Sequence, residues 1–215
     1  MNLQAVVFDF DGVCIDTEYA RFRSWQMIYE KYGFELPRDE WVKNIGTATW
    51  VSDPFVLLER LTGKKLNWEE CDAFHRVKEK EIADTLPLQP GLIDRLQEAK
   101  ALHIPCAIAS SSSHRWVDGH LTRRGIMDLF ATTVCKEDTS VHKPDPKPYL
   151  MVLERLGVPP ANAVAFEDSP LGIASARTAG LYCIAVPCGL TAGMDLSAAQ
   201  RIVASLEEVS FENMR

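Results

Sequence analysis

The chain carries two aspartates at the end of its first apolar segment, and their spacing predicts chemistry. Asp9 and Asp11 follow the apolar residues 5–8, and Gly12 comes directly after them. Residues two apart on a strand point to the same face, so the two carboxylates would lie side by side. Like charges so placed repel each other unless they share a proton or a cation. We therefore predict a divalent-metal and acid–base pair at the carboxyl end of a strand, where ligands bind in open α/β sheets.

Three further polar segments occur at predicted strand ends or just before predicted helices. Ser110 begins a run of four serines after an apolar segment, Lys143 precedes Pro144, and the pair Glu167-Asp168 follows residues 162–166. A hydroxyl with free amides at a helix start suits a phosphate, and so does a lysine on a rigid loop. Hard oxygen ligands beside such groups are typical of Mg²⁺ with a phosphoryl group. The sequence therefore predicts a magnesium and phosphate site.

The periodicity predicts the elements that would position these residues. Strand and helix patterns alternate in the second part of the chain, which favours a parallel sheet with helices on both faces. Between residues 17 and 85 only helical patterns occur. We predict an α/β fold, with a Rossmann-like core formed by residues 1–16 and 86–215 and an inserted all-α cap domain formed by residues 17–85. The tail after Gly189 is weakly periodic, and its structure is predicted only coarsely. The predicted strands are 5–9, 105–110, 131–135, 162–166 and 181–186.

Composition excludes several classes of protein. The formal charge is −7 and there is no basic stripe, which argues against nucleic acid as a partner. No apolar run approaches the ~20 residues of a membrane span, and acids stand where a signal peptide would need its cleavage site. The six cysteines form no CxxC pair and lie mostly in apolar segments, as expected of reduced core thiols. We expect a cytoplasmic protein that is a monomer or a weak dimer.

Four motifs together resemble those of haloacid dehalogenase superfamily phosphatases. They are DFDGVCIDT, IASS, HKPDP and FEDSPLGI, and they occur in that order between residues 9 and 173. The insert at 17–85 resembles the small α-helical cap of that superfamily. The chain is most similar to its β-phosphoglucomutase-like and phosphoglycolate phosphatase-like subgroup.

The resemblance implies a role for each matching position. Asp9 would be the nucleophile that forms an aspartyl-phosphate, and Asp11 would be the general acid and base. The implied Mg²⁺ ligands are the Asp9 carboxylate, the Asp11 main-chain carbonyl and Asp168, with Glu167 either a ligand or an outer-shell group. Ser110, with Ser111 beside it, and Lys143 would hold the phosphoryl oxygens. The implied activity is Mg²⁺-dependent hydrolysis of a small phosphorylated metabolite.

Other functions compete with this interpretation. Sugar phosphomutases of the subgroup keep a cap histidine and a cap arginine, and these positions hold Arg21 and Thr49 here. A dehalogenase would lack an acid at Asp11, and a phosphate-switched receiver would be smaller and lack a cap. Gly46-Thr47-Ala48-Thr49 resembles the family's specificity loop and is uncharged, which suggests a neutral polar leaving group such as a sugar. Gly46, Thr47 and Arg21 are thus the candidate specificity residues.

Residues next to two of the motifs are not assigned a reacting role. Asp16 and Thr17 follow the first motif and are predicted to be structural or hinge residues, because polar side chains near turns often cap them. His114 and Arg115 follow the serine run and are close enough in sequence to approach the site.

Overall fold

A parallel sheet of six strands organises the chain, in the order β3-β2-β1-β4-β5-β6. The computed structural model describes residues 2–47 and 50–214. β1 lies at the centre, where Phe8 is in register with Ile108 of β2 and with Phe166 of β4. This confirms the predicted Rossmann-like α/β fold. The strands are β1 Ala5–Phe8, β2 Cys106–Ala109, β3 Thr132–Val134, β4 Ala163–Glu167, β5 Tyr182–Ala185 and β6 Arg201–Ile202.

Alternate residues of the central strand enter two separate apolar clusters. Val6 and Phe8 belong to one cluster, and Ala5 and Val7 belong to the other. This is the two-residue period of a strand that is buried on both faces. Helices that follow β1 along the chain contribute to both clusters, so the sheet is covered on both sides. In chain order after the insert they are α5 Leu92–Ala101, α6 His114–Arg123, α7 Lys147–Leu156 and α8 Pro170–Thr178.

The described residues between 17 and 85 contain helices and no strand. These helices are α1 Thr17–Lys31, α2 Arg38–Trp41, α3 Pro54–Thr62 and α4 Trp68–Thr85. Local sequence signals set their starts, since the side chains of Asp16, Asp53 and Asn67 each accept a backbone N–H of the following helix. Trp25 and Trp41 are central to a third apolar cluster, formed mainly by these helices. The division into core and cap at residues 16 and 85 stays a prediction.

The sheet ends in a short edge strand, and the cysteines lie in the core. The sequence did not predict β6, since a strand of two exposed residues is too short to show a period. All six cysteines are free and buried, as expected of core thiols. Of the helices in the described part of the chain, none combines the length and apolarity needed to cross a membrane.

Candidate active site

The polar residues predicted from the sequence meet at one edge of the sheet. β1 lies between β2 and β4, so the residues that follow these three parallel strands come together. A cavity of about 580 Å³ opens over this edge. Its core side includes Asp9, Asp11, Lys143 and Asp168, and residues of the α-helical insert line its other side.

Lys143 joins two buried carboxylates. Its Nζ donates to Asp9 Oδ1 at 2.8 Å and to Glu167 Oε1 at 2.6 Å. Burial raises the pKa of Asp9 to about 8; Lys143 opposes this shift, while Glu167 and Asp11 add to it. The two carboxylates in turn hold the pKa of Lys143 above its ordinary value against the effect of burial. Lys143 is therefore a fixed positive charge beside the predicted nucleophile.

Three acids form a cluster that fits a hard divalent cation. One carboxylate oxygen from each of Asp9, Glu167 and Asp168 lies within 4.8 Å of the others, and all three residues are buried. Burial, and then the charges of Asp9 and Glu167, raise the pKa of Asp168 well above its ordinary value. A cation bound by these oxygens would relieve that repulsion, and carboxylate oxygens are the ligands that Mg²⁺ prefers. The donor set therefore fits Mg²⁺.

Gly12 permits the close approach of Asp168 to the first motif. Its φ is +89°, in the region that favours glycine, and a Cβ at this position would lie 2.0 Å from Asp168 Oδ2. The glycine that follows the two aspartates is thus required both for the turn and for packing against the acidic cluster.

Four side-chain donors hold the Asp11 carboxylate, and the three shortest bonds come from Thr17, Trp116 and Ser112. Thr17 Oγ1 donates to Oδ1 at 2.6 Å, Trp116 Nε1 donates to Oδ1 at 2.9 Å, and Ser112 Oγ donates to Oδ2 at 2.6 Å. Thr17 therefore begins α1 and also holds Asp11, and whether its role is only structural stays a prediction. Trp116 was missed because a tryptophan in a helical pattern indicates core packing. Ser112 was not distinguished within the run of four serines.

The serines after β2 have different environments. Ser110 is buried; its Oγ accepts the Ser112 N–H at 3.0 Å and donates to Asp11 Oδ2 at 3.4 Å. Ser111 lines the cavity, and its buried Oγ has no hydrogen-bond partner among the described residues. Ser111 thus offers an unused hydroxyl at the place where a phosphoryl oxygen is expected.

Glu167 does not line the cavity but accepts a hydrogen bond from Lys143, which does. Its Oε1 accepts hydrogen bonds from Lys143 and from Tyr149 Oη, the latter at 2.6 Å. A Cβ at Gly172 would lie 1.9 Å from Glu167 Oε2, so the carboxylate is enclosed on that side as well. These contacts favour an outer-shell role, and direct coordination by Glu167 stays a prediction.

The insert contributes charged and aromatic groups to the cavity. The Arg21 guanidinium carbon lies 4.6 Å from the ring centroid of Trp50, and Arg21 makes no ion pair within the described residues. Burial raises the pKa values of Glu18 and Glu79 to about 7, and Arg21 opposes both shifts. The cavity is therefore of mixed charge on this side.

The candidate specificity loop is described only in part. Gly46 and Thr47 line the cavity, whereas Ala48 and Thr49 lie outside the described residues; a role of this loop in specificity stays a prediction. His114, which could have approached the site, does not line the cavity. Its ring nitrogens bond instead to Asp118 at 2.8 Å and Asp138 at 2.6 Å, which ties α6 to the segment after β3.

Comparison with known proteins gives consistent matches over most of the chain. The family described as haloacid dehalogenase-like hydrolase matches residues 6–186. YhcW of Bacillus subtilis (strain 168), classed as a phosphatase with no substrate in its name, is 40% identical over 189 residues, 88% of this chain and 86% of that protein. The phosphorylated carbohydrates phosphatase of Thermotoga maritima is 33% identical over 179 residues, 83% of this chain and 82% of that protein.

A solved structure extends the likeness to the fold. The crystal structure of a Thermotoga maritima protein assigned as a β-phosphoglucomutase superposes with a TM-score of 0.81 at 30% identity, covering 99% of both chains. The region of this chain that matches the family includes all four motifs at the edge of the sheet. The chain therefore belongs to the haloacid dehalogenase-like hydrolase family, and its similarity to phosphatases of that family identifies it as a phosphatase.

Proposed function

We propose that this enzyme is a Mg²⁺-dependent phosphatase that hydrolyses a small phosphorylated metabolite through an aspartyl-phosphate on Asp9. One observation carries the proposal: Asp9, Lys143 and the buried Asp168 converge on a single cavity beneath the helical insert. Mg²⁺ would be held by the carboxylates of Asp9 and Asp168 and the main-chain carbonyl of Asp11. When bound, it would offset the repulsion between an anionic nucleophile and an anionic substrate.

In the first step an Asp9 oxygen attacks phosphorus. A bond from Asp9 to phosphorus forms while the bond from phosphorus to the leaving oxygen breaks, and the Asp11 proton moves to that oxygen. Lys143, already 2.8 Å from Asp9, would neutralise charge on the phosphoryl oxygens, and Ser111 would donate its free hydroxyl to one of them. The products are a free alcohol and phosphorylated Asp9.

In the second step Asp11 acts as a base. It takes a proton from water while the water oxygen bonds to phosphorus, and the bond to Asp9 breaks to release inorganic phosphate. Using one residue as acid and then as base restores its starting protonation state in each cycle. The covalent route divides a very slow hydrolysis into two easier steps.

The helical insert favours a neutral, polyhydroxylated leaving group. Among the described residues neither the Arg21 guanidinium donors nor the Glu18 carboxylate oxygens have a hydrogen-bond partner, and Trp50 and Trp68 supply ring surface in the same cavity. Donors, acceptors and ring faces together match a sugar or polyol. A second phosphate would gain from Arg21 but would be repelled by Glu18 and Glu79 when these are ionised, and their pKa values of about 7 leave both partly ionised at neutral pH. The expected substrates are therefore sugar or polyol monophosphates.

A sugar phosphomutase remains the second candidate, because a structural neighbour with a TM-score of 0.81 is assigned as one. A mutase must protect its phosphoenzyme from water and grip two phosphates in turn. Thr49 replaces the expected cap arginine, and Arg21 replaces the histidine near the acid–base residue. These replacements favour water as the phosphoryl acceptor.

The test is a panel of phosphorylated metabolites assayed with Mg²⁺ for release of inorganic phosphate, with Asp9→Asn as the inactive control. The panel includes sugar monophosphates, sugar bisphosphates, phosphoglycolate and nucleotides. We expect turnover of sugar or polyol monophosphates, and no turnover by the variant. A separate reaction contains β-glucose 1-phosphate and a trace of the 1,6-bisphosphate. Glucose 6-phosphate that accumulates faster than inorganic phosphate would overturn the phosphatase proposal in favour of the mutase.

A further inference from the structure

Trp116 connects the first turn of a core helix with the predicted acid–base residue. Its indole Nε1 donates to Asp11 Oδ1 at 2.9 Å, and the residue lines the same cavity. None of the four motifs includes it. The contact is thus a link to the reacting carboxylate that the motifs do not explain.

The surroundings of Trp116 fix its ring in place. Its backbone N–H lies 3.3 Å from the Ser113 Oγ that caps α6, and its ring packs edge-on against His120 with centroids 4.5 Å apart. His114, two residues earlier, is bonded at both ring nitrogens to Asp118 and Asp138. The indole N–H therefore points at Asp11 from a helix end that is tied down on several sides.

The four side-chain donors to Asp11 are chemically unequal. The hydroxyls of Thr17, Ser112 and Ser110 can both donate and accept, whereas an indole N–H can only donate. Trp116 and Thr17 both donate to Oδ1, so that oxygen is held as an acceptor. The proton that Asp11 delivers is then placed on Oδ2, whose hydroxyl partners Ser112 and Ser110 are able to accept a hydrogen bond from it.

We propose that Trp116 is a positioning residue that orients the Asp11 carboxylate, so that Oδ2 carries the proton to the leaving oxygen. The inference rests on the proposed function, because it needs Asp11 to act as the general acid. In the balanced first step the proton leaves Asp11 Oδ2 as the bond from phosphorus to the leaving oxygen breaks, while the indole N–H stays bonded to Oδ1.

The test uses Trp116→Phe, which keeps an aromatic ring and removes the N–H. Its kcat/KM is measured with Mg²⁺ for a series of phosphate monoesters, from 2,4-dinitrophenyl phosphate to alkyl and sugar phosphates. The value kcat/KM reports phosphoryl transfer to Asp9 even if the second step limits kcat. Leaving groups of high pKa need the acid most.

We expect kcat/KM of W116F to fall about tenfold or more for alkyl and sugar phosphates and much less for the dinitrophenyl ester. The dependence of kcat/KM on leaving-group pKa would then be steeper than in the wild type. Trp116→His, which keeps a ring N–H, should restore part of the wild-type slope. A merely structural role would lower kcat/KM equally for all esters, and that result, or no change, would overturn the inference.

Trp41→Phe is the matched control. Trp41 is buried in the helical insert, does not line the cavity, and its indole N–H has no partner among the described residues. W41F should keep the wild-type slope. Circular dichroism and thermal unfolding show whether W116F is folded, and Trp116→Met is the second variant without a donor if it is not. If the wild type hydrolyses none of the esters, the proposed function fails. If the wild type hydrolyses them but W116F has the same dependence of kcat/KM on leaving-group pKa, only the inference about Trp116 fails.

Discussion

Replacing Lys143 with methionine should destabilise the metal-free protein far more than the same replacement of an exposed lysine would. Lys143 is 6% exposed, and its Nζ is the cationic partner of both Asp9 Oδ1 and Glu167 Oε1. Methionine fills nearly the same space without the charge, so two buried carboxylates would face each other unpaired. Breaking a buried pair by removing one partner costs about 3–5 kcal/mol.

That cost can be measured by thermal and urea unfolding with excess chelator. For a chain of this length about 1 kcal/mol corresponds to roughly 2–4 °C in Tm, so Lys143→Met should lower Tm by about 6–20 °C. Mg²⁺ should restore part of the loss, because a cation at the acidic cluster also compensates the charge of Asp9. Activity should fall by about 10²-fold or more, since the charge that faces the phosphoryl oxygens is gone.

Two controls separate the charge from the substitution. Lys147→Met changes an exposed lysine at the start of α7 and should cost less than about 0.5 kcal/mol. The double variant Lys143→Met/Glu167→Gln removes one of the two unpaired charges and should be more stable than Lys143→Met alone. Equal unfolding of K143M and K147M in chelator would contradict a cost from unpaired buried charges, and so would an unfolding midpoint of K143M that Mg²⁺ does not change.

Three further predictions follow from the site. Gly12→Ala should lower kcat and Mg²⁺ affinity by about 10²-fold, because its Cβ would lie 2.0 Å from Asp168 Oδ2. Gly63→Ala is the control: Gly63 has φ +66° and open space around it, so the substitution should lower stability only. Equal losses of kcat and Mg²⁺ affinity in the two variants would contradict this prediction. The raised pKa of Glu79, about 7, implies that its stability contribution is full below its ordinary value of 4.5 and lost as pH rises through about 7. Glu79→Gln should therefore raise Tm near pH 8 but not near pH 4, and a pH-independent effect on Tm would count against it. Chelator should abolish phosphatase activity, Mg²⁺ should restore it and Ca²⁺ should inhibit, since the larger ion takes more ligands; full activity in chelator would exclude the metal site.

The sequence was sufficient to predict the fold where a strong pattern coincides with burial. The strands β1, β2, β4 and β5 are short runs of apolar residues that are buried on both faces, and each is followed by a turn or a polar segment. Their parallel order places the residues after them at one edge, so the convergence of Asp9, Lys143 and Asp168 could be anticipated from topology.

Other features depend on tertiary contacts that leave no local signal. The hydrogen bond from Trp116 to Asp11 joins residues 105 positions apart, and nothing in the helical pattern of α6 distinguishes this tryptophan from a core residue. The double contact of His114 with Asp118 and Asp138 likewise depends on how α6 meets the segment after β3. Sequence spacing alone could not tell a histidine at the site from one that holds the helix beside it.

The covalent intermediate on Asp9 can be trapped. Asp11→Asn keeps the nucleophile but removes the base that activates water, so its phosphoenzyme should persist. The variant is mixed with Mg²⁺ and ³²P-labelled acetyl phosphate, which needs little help from an acid, then quenched, digested and analysed by mass spectrometry. We predict one hydroxylamine-labile phosphate on the peptide that contains Asp9, and none in Asp9→Asn/Asp11→Asn. No covalent label, or a label on a serine of the run that begins at Ser110, would contradict the proposal.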